Sequence, residues 1–253
     1  MEASPSDFKE ERPVAVALAA SEVWLVLPTY NEALNLEPIV AAAREHLPLG
    51  SRILVVDDNS PDGTGGVADR LASEGDDLEV LHRARKDGLG PAYVAGFRHA
   101  LSEGAGLLIQ MDADFSHDPV DVPRLLEAAR SADLVLGSRY VPGGGVSDWG
   151  PIRRLLSRCG SAYARHILGL PIRDLTGGFK VIRREVLEGI ELGSIASGGY
   201  AFQVELTLRA VRAGFRIEEV PIRFRDRRVG NSKMTASIVL EAALGVPRMR
   251  RRG

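Results

Sequence analysis

Past a polar arm at residues 1–21, the chain alternates apolar runs of strand length with stretches of helical periodicity. Val23 to Pro28 (VWLVLP) carries no charge and predicts a buried strand. In the NEALNLEPIVAAAREHL stretch that follows, Leu34, Ile39, Val40 and Leu47 recur at a helix-like spacing. Ile53 to Asp58 predicts a second strand, the cluster NSPDGTGG a turn, and Val67 to Ser73 a helix. LEVLHR predicts a short third strand and Pro91 to Ser102 a helix; Gly106 to Asp114 predicts a fourth strand ending in carboxylates, and Asp133 to Tyr140 a fifth. Such alternation predicts an α/β fold with a mainly parallel sheet and helices on both faces. Nothing repeats at a fixed period and no low-complexity linker divides the chain, so residues 22–235 read as a single domain. Residues 236–253 read as a tail that is first apolar and then basic.

In open parallel sheets, ligands bind beyond the carboxyl ends of the strands. Polar residues gather at those ends here: Thr29, Tyr30, Asn31 and Glu32 after the first strand, Asp57, Asp58 and Asn59 after the second, Asp112 and Asp114 after the fourth. If the fourth strand runs through Asp114, alternation puts both carboxylates on one side, about 6 to 7 Å apart. A pair of that kind suits Mg²⁺ or Mn²⁺ shared with substrate phosphates. By itself an Asp-x-Asp triplet also reads as a turn or a helix start, as Asp118-Pro119 does. VVDDNSPDGTGG likewise reads either as a tight turn or as the acidic group that meets a ribose or base edge. The glycine fingerprint of nicotinamide enzymes and the phosphate-cradling P-loop pattern are both absent, which disfavours those classes.

Composition adds less than charge distribution does. The formal net charge is −2, yet residues 209–253 hold 11 Arg and 1 Lys against 3 Glu and 1 Asp, a local +8 that leaves −10 for residues 1–208. A basic end of this kind is either a solvated tail or a surface that meets an anion. Aromatic residues make up 6% of the chain and are not interleaved with the basic ones, which disfavours a nucleic-acid partner. No apolar run approaches the roughly 18 to 20 residues of a membrane-spanning helix. The acidic, polar opening MEASPSDFKEER does not read as a secretion signal. A single cysteine, Cys159, excludes an internal disulfide framework and fits a reducing compartment. In PIRRLLSRCGSAYARHILG, residues Ile152, Leu155, Leu156, Cys159, Tyr163 and Ile167 recur at helical spacing, with Arg154, Arg158 and Arg165 elsewhere around the wheel. This predicts either a surface helix packed on the core, with Cys159 a packed thiol, or a basic amphipathic helix lying against a bilayer.

Seven motifs then occur in order: PTYNE (Pro28 to Glu32), VVDDNSPDGT (Val55 to Thr64), KDGLGPAY (Lys86 to Tyr93), MDADFSHDP (Met111 to Pro119), GSRY (Gly137 to Tyr140), DLTGGFK (Asp174 to Lys180) and DRRVGNSK (Asp226 to Lys233). In these the chain resembles the family 2 glycosyltransferases of the GT-A fold, and specifically the dolichyl-phosphate (polyprenyl-phosphate) mannose synthases, from about Val23 to Lys233.

The resemblance implies a Rossmann-like GT-A domain that transfers mannose from GDP-mannose to a polyprenyl phosphate with inversion, using Mg²⁺ or Mn²⁺. It also implies a cytoplasmic protein held peripherally at the cytoplasmic face of a membrane; the lack of a spanning run leaves a separate membrane-anchoring protein open as a further partner. Carried over residue by residue, it places Pro28, Tyr30, Glu32, Val56 and Asp57 on the nucleoside, and Asp112, Ala113 and Asp114 at the ribose and diphosphate. Asp112 and Asp114 would ligate the metal. Some relatives have Gln where this chain has Ser116, a shorter and poorer third ligand. Arg139, Arg227 and Lys233 would face the donor diphosphate and the acceptor phosphate, and with Asp114 they form the candidate catalytic set. By residue type each of these cations also reads as a solvated surface charge, but Gly230 and Ser232 favour a loop that closes over the donor. A glucosyltransferase using UDP-glucose and a non-catalytic nucleotide-sugar-binding scaffold are the alternatives on the same fold.

Overall fold

A computed structural model describes residues 22–195, 199–226 and 245–250, the side chain of Tyr200 excepted. Strand β1 (Val23–Thr29) lies between two parallel neighbours, β2 (Arg52–Asp57) and β4 (Leu107–Gln110). Alternation sorts their side chains. Trp24, Val26, Leu54, Val56 and Leu108 enter one apolar cluster, while Leu25, Leu27, Ile53, Val55 and Ile109 enter the other. Both faces are covered, which is why these strands read as unbroken apolar runs. Helices α3 (Leu89–Ser102) and α7 (Gly199–Arg212) fill the first cluster with Tyr93, Phe97, Phe202 and Leu206. Helices α1 (Ala33–His46), α2 (Thr64–Ser73) and α4 (Val122–Ala128) fill the second with Leu36, Ile39, Leu71 and Leu125.

The sheet is completed by β3 (Leu78–His82), β5 (Leu134–Ser138), β7 (Lys180–Arg183) and β8 (Ile217–Pro221), in the order β3-β2-β1-β4-β7-β5-β8. β7 runs antiparallel to β4 and β5, and the other pairings are parallel. A second, two-stranded sheet joins β6 (Gly145–Val146) to β9 (Arg223–Phe224) beside helix α5 (Pro151–Leu168), and α6 (Arg184–Gly189) follows β7.

The expected α/β architecture is present, with three differences. The fourth strand stops at Gln110 rather than running through Asp114. The chain turns there: Asp112 N–H donates to His117 Nδ1, Ser116 N–H donates to Asp114 Oδ1, and Phe115 adopts φ 62°. Strand alternation therefore does not govern the two carboxylates. Second, residues 245–250 of the expected tail are helical, with Val246 and Met249 buried in the first cluster and Arg212 donating to the Met249 carbonyl. Third, the α5 stripe departs from the core-packed alternative: Ile167 packs on the first cluster, but Ile152, Leu155, Leu156 and Tyr163 are 74%, 63%, 53% and 40% exposed, the exposure that the bilayer-facing alternative requires, and Ser161 and Ala164 are buried. Cys159 is exposed with the stripe and is not a packed thiol. Residues 1–21 and 236–244 of the expected arm and tail lie outside the described residues.

The approach of α3 to the sheet depends on Gly96. A Cβ there would stand 2.7 Å from Val26 Cγ1 and 2.8 Å from Val56 Cγ2, closer than packed carbons come. Gly96→Ala is expected to destabilise the fold by about 1 to 3 kcal/mol despite the better helix propensity of alanine. Gly66→Ala on α2, with open space around its Cβ, is expected to raise stability by up to about 1 kcal/mol. Urea unfolding of the two variants checks the contrast.

Candidate active site

The carboxyl ends of β1, β2 and β4 open into a cleft of about 300 Å³. Pro28, Tyr30 and Glu32 line one end. Glu32 N–H donates to Thr64 Oγ1, and its carboxylate accepts from Asn35 Nδ2 at 2.8 Å, so the first turn of α1 fixes it. Lys86 Nζ stands 3.6 Å above the Tyr30 ring, a cation–π contact at the rim. Of the two carboxylates after β2, Asp58 lines the cleft, paired with Arg83 and accepting from Gly88 N–H. Burial pushes its carboxyl pKa up against the opposing pull of Arg83. Asp57, expected on the nucleoside, is 3% exposed and caps its own turn, accepting from Thr29 Oγ1 and Ser60 Oγ. Val56 likewise sits in the core behind the wall.

Asp112, Ala113, Asp114 and Ser116 line the middle of the cleft, as expected. Asp112 accepts from the Tyr93 hydroxyl at 3.0 Å. His117 is buried between the rings of Phe179 and Phe224 and lines the same wall. Burial lowers its pKa despite the nearby Asp112, so the imidazole stays neutral and leaves the negative charge of the carboxylates in place. Among the described residues no three His, Cys, Asp or Glu side chains gather as a metal cage. Two carboxylates with a hydroxyl suit a hard cation that completes its shell with water and substrate phosphate oxygens, so the donor set fits Mg²⁺ or Mn²⁺.

Arg139 also lines the cleft, but its guanidinium is engaged. Nε and Nη2 form a bidentate pair with Asp174, each at 2.7 Å, and Nη2 also donates to Thr176 Oγ1. The pair is sealed, with side-chain exposures of 4% and 0%. Burial alone would raise the Asp174 carboxyl; the charge and hydrogen bonds of Arg139 outweigh it and hold the pKa below the ordinary value. Beneath lies Lys180, 1% exposed in β7, donating to the Gly177 carbonyl and to Gln203 Oε1. Burial pushes its pKa down to about 7. Arg153 on α5 bonds Asp226 at 2.9 Å and closes the far end of the cleft with Trp149 and Ser157. Arg227 and Lys233 fall outside the described residues.

The family model for glycosyl transferase family 2 matches residues 24–190, which include the Tyr30, Asp58 and Asp112 walls. The chain belongs to that family. Its members similar to this chain include the undecaprenyl-phosphate mannosyltransferase of Micrococcus luteus, 50% identical over 89% of this chain and 93% of its own. The polyprenol monophosphomannose synthase of Mycolicibacterium smegmatis is 50% identical over 88% and 84%. Among solved structures, glucosyl-3-phosphoglycerate synthase of Mycobacterium tuberculosis, in complex with Mn²⁺, UDP-glucose and phosphoglyceric acid, superposes with a TM-score of 0.69 at 20% identity, covering 90% of this chain and 79% of that one. That likeness establishes the shared GT-A fold of the family 2 chain.

Two tests follow from the buried charges. Asp174→Ala leaves Arg139 buried without its carboxylate, and chemical unfolding is expected to show a loss of about 3 to 5 kcal/mol. For Lys180, the unfolded chain keeps its proton up to an ordinary pKa of 10.5, while the folded chain releases it near 7. Between those values stability rises with pH, by up to about 1.4 kcal/mol per unit. Relative to Lys180→Met, the wild type is expected to gain about 2 kcal/mol between pH 7.5 and 9.5. A pH-independent difference would contradict the assigned burial.

Proposed function

We propose that this chain transfers mannose from GDP-mannose to a polyprenyl phosphate, releasing GDP and forming a β-mannosyl phospholipid. The observation that carries the reading is that one cleft is lined both by Tyr30, Asp112 and Asp114 at the sheet rim and by Arg153 and Ser157 of α5, the helix whose Ile152, Leu155 and Leu156 are exposed. The nucleotide-sugar end and the lipid end are thereby joined in one cavity. The two mannosyltransferase relatives support the sugar and the lipid acceptor.

An acceptor phosphate is already an anion at neutral pH, so transfer needs positioning and charge stabilisation rather than a strong base. A phosphate oxygen attacks the anomeric carbon as the bond to the GDP diphosphate breaks; single displacement on an α-linked donor gives the β product. Asp112 and Asp114, with the Ser116 hydroxyl beside them, would hold Mg²⁺ or Mn²⁺, which would supply charge neutralisation to the leaving diphosphate. Arg153, whose Nε–H has no hydrogen-bond partner among the described residues, is the cation we assign to the acceptor phosphate. Arg139 shapes the wall between donor and acceptor through Asp174, and Arg227 and Lys233 complete the cationic set.

No helix among the described residues is long and apolar enough to cross a membrane. Attachment is assigned to the outward face of α5, where Ile152, Leu155 and Leu156 enter the lipid boundary and Arg154 and Arg158 meet anionic headgroups at the cytoplasmic face. A separate membrane protein is the candidate for any further anchoring.

Purified protein with Mg²⁺ and a short polyprenyl phosphate is expected to transfer mannose from GDP-mannose and no glucose from UDP-glucose. Transfer from UDP-glucose alone would contradict the donor assignment, and binding without turnover would favour the scaffold alternative. Asp114→Ala is expected to cut turnover by at least about 100-fold with the fold retained. Leu155→Glu is expected to reduce co-flotation with anionic lipid vesicles while GDP binding stays unchanged. Full flotation of that variant would place the lipid contact elsewhere.

A further inference from the structure

The cleft floor holds an amide whose acceptor end is engaged and whose donor end is not. Gln203 on α7 is 2% exposed; its Oε1 accepts from Gln110 Nε2 at 2.8 Å and from Lys180 Nζ, while its own Nε2 has no hydrogen-bond partner among the described residues. Lys180 Nζ, in its protonated form a donor only, faces Oε1 and gives another hydrogen bond to the Gly177 carbonyl, so a flipped amide would turn an N–H toward it. Nε2 lies 3.7 Å from the point that a Cβ on Gly178 would occupy, and Asp112 Oδ2 lies 3.3 Å from the same point. Gly178, Asp112 and Gln203 all line the cleft. Glycine at 178 thus lets a donor and a carboxylate stand close together, since a Cβ there would crowd His117 Cε1 at 3.2 Å as well as Asp112 Oδ2.

A hydroxyl group meets both partners, since its oxygen accepts from Nε2 and its proton can turn to the carboxylate. A phosphate oxygen in the same place would face Asp112 with like charge. We propose that Gln203 Nε2 donates a hydrogen bond to a hydroxyl oxygen of the transferred hexosyl group, and that Lys180 and Gly178 position it by fixing the amide and letting the carboxylate stand close to it. This makes Gln203 a sugar-binding residue of the reaction. The inference rests on the nucleotide-sugar reading above, although it does not depend on which base or hexose the donor carries.

Gln203→Glu keeps the shape and the Lys180 contact but replaces the donor with an oxygen. Gln203→Met keeps the length of the side chain but removes the amide donor without touching Asp112, and decides the matter should Gln203→Glu fail to fold. Calorimetric titration with GDP and with GDP-mannose, each with Mg²⁺, separates nucleotide from sugar. Both variants are expected to bind GDP within about twofold of the wild type and to lose about tenfold or more in affinity for GDP-mannose. With single-deoxy donors, one analogue is expected to weaken wild-type binding and leave Gln203→Glu no weaker than before. Unchanged affinity for GDP-mannose would overturn the proposal. So would an equal loss for GDP, which would assign Nε2 to the diphosphate. Failure of the donor reading shows separately, in the wild type: if that transfers glucose from UDP-glucose, the same comparison is made with UDP and UDP-glucose and the same outcomes decide.

Discussion

The bidentate pair between Arg139 and Asp174 ties together the parts of the molecule that must meet at the cleft. Arg139 follows β5 and Asp174 precedes β7, so the pair joins segments that the chain separates by the whole of α5. Asp174 N–H also donates to Glu219 of β8, and that carboxylate takes the Ser138 hydroxyl as well. Removing two charges from water is costly unless every polar atom is answered. Here Asp174 accepts from the Arg139 backbone and guanidinium, with Thr176 alongside. The result is a rigid wall on which Gly177, Gly178 and Lys180 are set at fixed places opposite Asp112.

Around this wall the charges are divided by position. The carboxylates of Asp112 and Asp114 stand at the carboxyl end of β4, with a neutral His117 beside them, whereas the cationic side chains Arg153 and Arg158 belong to α5. An acidic middle and a basic far end are what a diphosphate donor with its cation and an anionic acceptor require. Helix α5 extends the same division outward. Its polar inner side meets the cleft through Arg153 and Ser157, which leaves the apolar residues for the exterior.

The central strands were legible because burial on both faces writes itself as an uninterrupted apolar run, as in VWLVLP and ILVV. The cleft was legible as a rim, because carboxylates at strand ends have no packing purpose. Strand periodicity gave out where a local turn overrode it. Asp112 and Asp114 sit in a turn that includes a left-handed Phe115, and Asp57 accepts hydrogen bonds within its own turn while Asp58 lines the cleft. β7 escaped notice because four residues beginning with a lysine carry too little pattern. A lysine inside the apolar run FKVI was nonetheless the one signal that a buried partner waited for it. On α5 periodicity gave the stripe but not its direction, since which side of a helix is buried depends on whether its neighbours are apolar or line a polar cavity.

In the proposed reaction Asp112 and Asp114 form half of a metal site whose other half is the donor diphosphate. Two carboxylates alone hold a hard divalent ion weakly, so metal and nucleotide must strengthen each other's binding by the same factor. Titrating Mn²⁺ into the protein with and without saturating GDP, read by calorimetry, tests this directly. The expected result is weak Mn²⁺ binding to the free protein and binding at least about tenfold tighter with GDP, a coupling lost in Asp114→Ala. Equal Mn²⁺ affinity with and without GDP would contradict it.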